Sequence, residues 1–370
     1  MVFYEVLYGG TQKIICSRIN VSLLKSLFLW MHLPYSSYWF LLIAVVFFRC
    51  QSNTGGTPLP STTPQPVFSE EQKKDFFAKI PVGDTILVSD FFPFLQHILE
   101  QVDSTPGYPL TEPVLLRANP WILDRLVATD YDYRLAQGQF VYDQRKLEVL
   151  YPSDSLLIPT AIAAKLLQEK IAKTRLDINI PAFELRILEG DSLIHLVKVR
   201  VGKNEKKYLE MAKTMVDLRT HTGTGAIFRI NKNPVFYDPV DMKIFKETKR
   251  DDQRKTKMPL IPWLEPEING IRYGQLIHPT TNPKTLGKPA SNGCIGASEA
   301  DAWRIFFYAP IGTPVHIRYE LKVLGPEGDT IQLKDIYPKK GPKIITDKMP
   351  APKVANQLAP EACWCEEHQS

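Results

Sequence analysis

Cys294 and His278 are the two residues of this sequence whose types and spacing fit a chemical task together. A thiol becomes a good nucleophile only as thiolate, so it needs a nearby base or positive charge. Cys294 stands in the tight run Ser291-Asn292-Gly293-Cys294, and His278, sixteen positions upstream, ends the strand-like run Tyr273-Gly274-Gln275-Leu276-Ile277. Gly293 lets the backbone approach a substrate closely, and its N–H and that of Cys294 can converge on a developing oxyanion. Pro283, Pro289 and Gly287 suit an intervening loop that turns back to bring the imidazole to the thiol. On its own, a Cys beside Gly is more often a small buried hydrophobe, so the surrounding elements must carry the catalytic reading.

Those elements are strands. Asp177 to Ile180 and Glu184 to Leu188 alternate polar with apolar residues, Glu189-Gly190-Asp191 turns a hairpin, and Leu193 to Val201 returns. Thr220 to Gly225 leads into a short strand, Ala226 to Ile230. Ser298-Glu299 opens a helix that runs to about Tyr308, and its N-terminal dipole is expected to lower the pKa of Cys294. His195, His221 and His316 sit in strand or turn patterns as bystanders.

The His, the loop and the Ser-Asn-Gly-Cys-Ile run resemble the YkuD-type L,D-transpeptidase domain, whose motif is a His, a loop of this length and Ser-His-Gly-Cys, then an aliphatic residue and usually Arg or Asn. The opening strand at Asp177-Ile178-Asn179-Ile180-Pro181, the turns Gly202-Lys203 and Thr222-Gly223, and the closing strand Gly312-Thr313-Pro314-Val315 extend it over roughly 174–320. Two positions depart from the motif: Asn292 replaces its second His, and Gly296 replaces the Arg or Asn.

The resemblance implies a mainly β catalytic domain, a YkuD-like sandwich or barrel with a few helices, behind a small mostly α or α+β N-terminal region. It implies a peptidoglycan substrate, a tetrapeptide stem cut after its third residue with release of D-Ala. His278 is then the general acid/base, Cys294 the nucleophile, and Ser291, Asn292, Gly293 and Thr280 candidate oxyanion or substrate-binding residues. An amine from a second stem would resolve the thioester into a cross-link, water would make the protein an L,D-carboxypeptidase, and a lipoprotein amine an anchoring enzyme. Acylation by carbapenems follows from the same resemblance, and no cofactor is called for. The rival is a wall-binding scaffold that keeps the fold without the chemistry, and a general Cys protease is disfavoured by the flanks of Cys294.

A chain of 370 residues accommodates two domains, and a net charge of +5 without a Lys/Arg block interleaved with aromatics argues against nucleic acid. Five Cys, at 16, 50, 294, 363 and 365, form neither zinc spacing nor a disulfide framework. Residues 1–50 read as a signal or anchor segment: the apolar run Tyr38 to Phe48 is too short for a spanning helix but suits a signal-peptide core, and Met31 is a candidate start. Cys50, before a Gly/Pro/Thr/Ser-rich linker at 51–66, resembles a bacterial lipoprotein acceptor, although Arg49 fits poorly. Export, a periplasmic location and a membrane anchor by lipid or helix are the expectation.

Residues 67–173 read as a helical accessory region, with helices at 70–79, 91–102, after Trp121 and at 159–173. Tyr151 to Pro159 reads as a turn and strand, faintly similar to the closing phrase of a LysM glycan-binding module. Residues 232–262 are expected to be a solvated loop or a lid. Beyond the catalytic domain, 174–320, a 321–370 extension carries a strand pair near 322–333 and, from Tyr337, a disordered tail.

Overall fold

The computed structural model describes residues 77–103, 110–325 and 328–345. All of these fall in the second of two compact units, Thr63–Ser370. The N-terminal apolar run, Met31, Cys50, the linker and the Cys363/Cys365 pair lie outside the described residues.

The accessory region is α+β. Its helices are α1 (Phe91–Asp103), α2 (Glu112–Ala118), α3 (Trp121–Val127), α4 (Tyr131–Ala136) and α5 (Ala161–Ala172). Local chemistry starts them: Pro113 and Glu112 stand in the first turn of α2, and the Asp130 side chain caps α4 by accepting from the Tyr133 N–H at 2.9 Å. The expected helix at 70–79 is corrected where it can be seen, because Phe77–Pro81 is a strand paired antiparallel with Ser155–Pro159. Its backbone donors and acceptors find that second strand.

The catalytic region is built on eight strands of one mixed sheet, labelled in chain order β1 (Thr174–Asn179), β2 (Glu184–Glu189), β3 (Ser192–Lys198), β4 (Gly223–Asn231), β5 (Trp263–Ile268), β6 (Ile277–Pro279), β7 (Ile295–Ala297) and β8 (Pro314–Arg318). The order across the sheet is β7-β6-β5-β4-β8-β1-β2-β3. Leu176 and Ile178 of β1, Leu185 and Ile187 of β2, and Val315 and Ile317 of β8 are buried with period two, which fixes the register of the pairs. The chain just after β3 then reaches round to β7: Arg200 and Gly296 exchange both backbone hydrogen bonds, 2.8 and 3.0 Å. That bridge ties the two ends of the sheet into a barrel-like closure.

Helix α6 (Glu299–Tyr308) follows Cys294 in the chain and buries Trp303, Phe306, Phe307 and Tyr308. The Phe92 ring of α1 meets Trp303 and Phe306 with centroids 6.3 and 5.4 Å apart, so the accessory helices and the catalytic sheet share one core. Burial of such rings contributes roughly 1.5–3 kcal/mol each.

The expected strand pair forms between Lys322–Leu324 and Thr330–Gln332, as a two-stranded sheet of its own. One further expectation is corrected. The tail is ordered from Tyr337 to Ile345: Lys343–Ile345 adds a parallel strand to Glu205–Leu209, and the Tyr337 hydroxyl donates to the Gly202 carbonyl at 2.7 Å. A Lys/Pro-rich composition predicts poor core formation, but an open strand edge supplies backbone partners that composition does not reveal.

Candidate active site

His278 lies in β6, and Cys294 immediately precedes the neighbouring strand β7. β6 and β7 pair in parallel, with Ile277 opposite Ile295 and His278 opposite Gly296. Residues opposite one another share a face, as do residues two apart on one strand. Cys294 immediately precedes β7 and stands beside Leu276 of β6. The Leu276 N–H donates to Sγ of Cys294 at 3.4 Å, a backbone contact that favours the thiolate.

The imidazole is held in one orientation. Nδ1 of His278 lies 2.8 Å from the Pro279 carbonyl, which can only accept, so Nδ1 carries the proton and Nε2 keeps its lone pair. Burial, with the Arg200 charge, pulls the His278 pKa down to about 4, so the ring is neutral at pH 7. Burial pushes the Cys294 thiol up, opposed by the Leu276 N–H and Arg200. At rest the thiol and the imidazole are thus both neutral.

The expected help from α6 takes another form. Its first-turn donors are already engaged: the Ala300 N–H donates to Asp130 at 2.9 Å and the Asp301 N–H to Ser298 at 3.0 Å. Buried Glu299 fixes the helix start by accepting from the Tyr131 N–H at 3.0 Å and from Gln144 at 2.6 Å, and by pairing with Arg250. The helix start is a docking point for the accessory region, and the thiol pKa is raised rather than lowered.

The other anticipated residues take distinct places. Gly293 has φ +110°, a left-handed backbone, and a Cβ there would meet Gln275 Nε2 at 2.7 Å. Its N–H faces the Ser291 hydroxyl at 3.3 Å, while that hydroxyl donates to the Cys294 carbonyl at 2.5 Å. Ser291 therefore closes the turn at Cys294 on itself. Asn292 is half-buried in the same turn. Thr280 is buried, donates its N–H to the Ala297 carbonyl at 2.7 Å and accepts from the Asn282 N–H at 3.2 Å, holding the loop after His278. His221 stacks on Tyr273 with centroids 3.9 Å apart, beside a cavity of about 290 Å³ lined also by Asp217, Arg219, Thr220, Tyr319 and Tyr337.

Residues 232–262 hold two hairpins, Phe236–Tyr237 with Ile244–Phe245 and Glu247–Lys249 with Lys255–Lys257. The second hairpin grips the active-site loop: Thr248 and Thr281 hydroxyls lie 2.8 Å apart, and the Lys284 N–H donates to Asp251 at 2.7 Å.

Sequence reasoning missed Arg200, Gln275 and Thr220. Gln275 donates to the Arg219 carbonyl at 2.9 Å and accepts from the His221 N–H at 2.9 Å. The Thr220 hydroxyl donates to the Gly293 carbonyl at 2.9 Å, fixing the turn from outside the motif. Arg200 covers Gly296, where a Cβ would meet its Nε at 2.6 Å. The one signal for it was negative, a Gly where the resembled motif carries a long polar side chain.

Among the described residues no group of three or more His, Cys, Asp and Glu could hold a metal ion, and no helix is long and apolar enough to cross a membrane.

Residues 173–317 match the family model described as the L,D-transpeptidase catalytic domain, YkuD. No curated protein matches. Similar solved structures include an L,D-transpeptidase from Xylanimonas cellulosilytica, 16% identical with a TM-score of 0.30, the match covering 58% of this chain and 98% of that one. An L,D-transpeptidase from Mycobacterium smegmatis is 13% identical with a TM-score of 0.27, over 46% of this chain and 64% of that one, so this chain spans less than two thirds of its length. The catalytic domain of an E. faecium L,D-transpeptidase, acylated by ertapenem in its structure, is 14% identical with a TM-score of 0.27, over 40% and 97%. Residues 173–317 of this chain belong to the L,D-transpeptidase catalytic domain family, YkuD.

Proposed function

We propose that the protein is an L,D-transpeptidase that acts on peptidoglycan stem peptides through a thioester on Cys294 and joins third residues with release of D-Ala. The observation that supports this reading is that His278 lies on β6 and Cys294 immediately before its parallel neighbour β7, with Nδ1 of His278 engaged by the Pro279 carbonyl.

Nε2 of His278 takes the thiol proton as Sγ attacks the carbonyl carbon of the third stem residue. The oxyanion is met by the N–H groups of Cys294 and Gly293, the latter exchanging its long contact with Ser291, and Asn292 adds a side-chain donor. Collapse breaks the C–N bond, His278 protonates the departing amine of D-Ala, and a thioester remains. The amine of a second stem then gives its proton to His278, attacks the thioester and restores the thiol. With water instead, the same site is an L,D-carboxypeptidase. We further propose export through the N-terminal apolar run, with anchoring at Cys50; that reading rests on sequence alone.

A raised thiol pKa also suits a second reading, a wall-binding scaffold that has lost its chemistry. Mass spectrometry of muropeptides after incubation with the full chain or Cys294→Ala separates the two. Dimers joined through third residues, absent with the variant, are the expected outcome. Cys294-dependent tripeptides alone mean hydrolysis, and wall binding without any Cys294-dependent product means the scaffold.

A further inference from the structure

We propose that Arg200 is the carboxylate-binding residue of this active site, holding a carboxylate of the incoming ligand beside Cys294. For the stem peptide as that ligand, the inference rests on the function proposed above. The carboxylate itself is argued from the geometry alone.

Three residues lie abreast across three strands: His278, Gly296 and Arg200, the first pair in parallel register and the second in an antiparallel bridge. Cross-strand neighbours share a face, and the middle position has no side chain. Arg200 therefore lies across Gly296, on the face that carries His278, and its Nε would meet a Cβ there at 2.6 Å. Its charge is felt by both reacting groups, disfavouring imidazolium at His278 and favouring thiolate at Cys294.

No acidic residue answers that charge. Among the described residues Arg200 forms no ion pair. Its one side-chain hydrogen bond is Nη1 to the Thr285 hydroxyl at 3.3 Å, and its buried Nε has no acceptor. Glu265, whose charge pushes the Cys294 thiol up, is already paired with Arg229 at 2.8 Å. Elsewhere the fold pairs its sequestered arginines: Arg117 with Glu189, Arg250 with Glu299, Arg318 with Asp177. A largely desolvated guanidinium without an anion is unfavourable, and a planar fork of donors matches a carboxylate in two-point contact. Arg200 itself is only half-buried, so a ligand can reach it. A stem peptide brings two candidate groups, the C-terminal carboxylate of D-Ala and a side-chain carboxylate on the third residue. Either is recognised by the same chemistry.

The first arm of the test does not depend on turnover. Alkylation of Cys294 in the full chain is followed on its own peptide by mass spectrometry, with iodoacetate or iodoacetamide as probe. Each rate is normalised to the same peptide in the unfolded chain. Iodoacetate is expected to gain roughly tenfold over iodoacetamide in the wild type, the size of one charge-assisted hydrogen bond. That gain should fall to parity in Arg200→Gln, survive in part in Arg200→Lys, and be suppressed by added D-alanine if the C-terminal group is the one bound. The same preference in wild type and Arg200→Gln overturns the proposal, as does parity in a wild type whose fold is intact.

The second arm uses tetrapeptides amidated at the C-terminus or on the third residue. Amidating the recognised group should cost wild type roughly tenfold in kcat/KM and cost Arg200→Gln nothing further. Losses that simply add at both positions overturn the assignment to the stem peptide. If no tetrapeptide is turned over, the proposed function fails, and the alkylation arm still decides whether Arg200 binds a carboxylate.

Discussion

Arg250 is buried and Arg200 half-buried, both close to the segment that carries Cys294, and the fold surrounds them in opposite ways. Arg250 is 2% exposed and saturated: it pairs with Glu299, donates to Thr256 and Gln144 at 2.7 Å each, and stacks over Tyr131 at 4.4 Å. Every partner is protein, and together they join the accessory region, the second hairpin and the start of α6. Arg200 has one long contact to Thr285 and an empty Nε. A charge closed in by its own chain is a fastener, whereas Arg200, without an anion of its own, is the receptor proposed above. Charge patterning in the sequence does not separate the two.

The largest effect expected is at the thiol. Cys294→Ala should abolish acyl transfer, a loss of at least ~10³-fold in kcat, with a denaturation midpoint close to wild type. A large shift of the midpoint would assign Cys294 to the core instead. Next comes the fastener: Arg250→Met strands Glu299 in the interior and should cost about 3–5 kcal/mol in urea unfolding. Arg200→Gln should cost less than about 1 kcal/mol by the same measure. Equal losses at the two arginines would end the distinction.

The pH profile sharpens the comparison further. With a pKa of about 4, His278 is a competent base through neutrality, so kcat/KM should rise with pH through an acid limb near pH 4 and then stay level. The Arg200 cation disfavours imidazolium, so removing it must raise the His278 pKa. In Arg200→Gln the acid limb should therefore move upward, toward the ordinary imidazole value of 6.5, and in Arg250→Met it should stay. Gly296→Ala should evict the Arg200 side chain and reproduce part of that movement. The smallest effect is at Tyr337→Phe, where the lost hydroxyl contacts to Gly202 and Thr220 should lower stability by about 1 kcal/mol.

Legibility in the sequence followed the range of the interactions. The β1–β2–β3 meander and the helix at Ser298 rest on local signals, namely alternation and a cap, and the structure places them as read. Arg200, Thr220 and Gln275 reach the nucleophile turn only through long-range pairing, and nothing near them in the chain marks that meeting. The ordered stretch Lys343–Ile345 was misread for the same reason, since its partner is a strand edge at Glu205–Leu209. The charged run at 246–257 resembled a solvated loop because a buried Arg and an exposed one look alike until Glu299 is seen opposite.

The bridge between Arg200 and Gly296 also bears on time. It joins two segments far apart in the chain, and pairings of that kind form late because a large loop must be closed first. Until they form, Cys294 has neither its guanidinium neighbour nor a fixed base. During refolding, pulsed alkylation with iodoacetate should show Cys294 gaining its anion preference only with the final rise in Trp fluorescence; a preference present in the first collapsed state would contradict that order. The nascent chain then carries an ordinary, unselective thiol, and maturation of the barrel is itself the step that arms it.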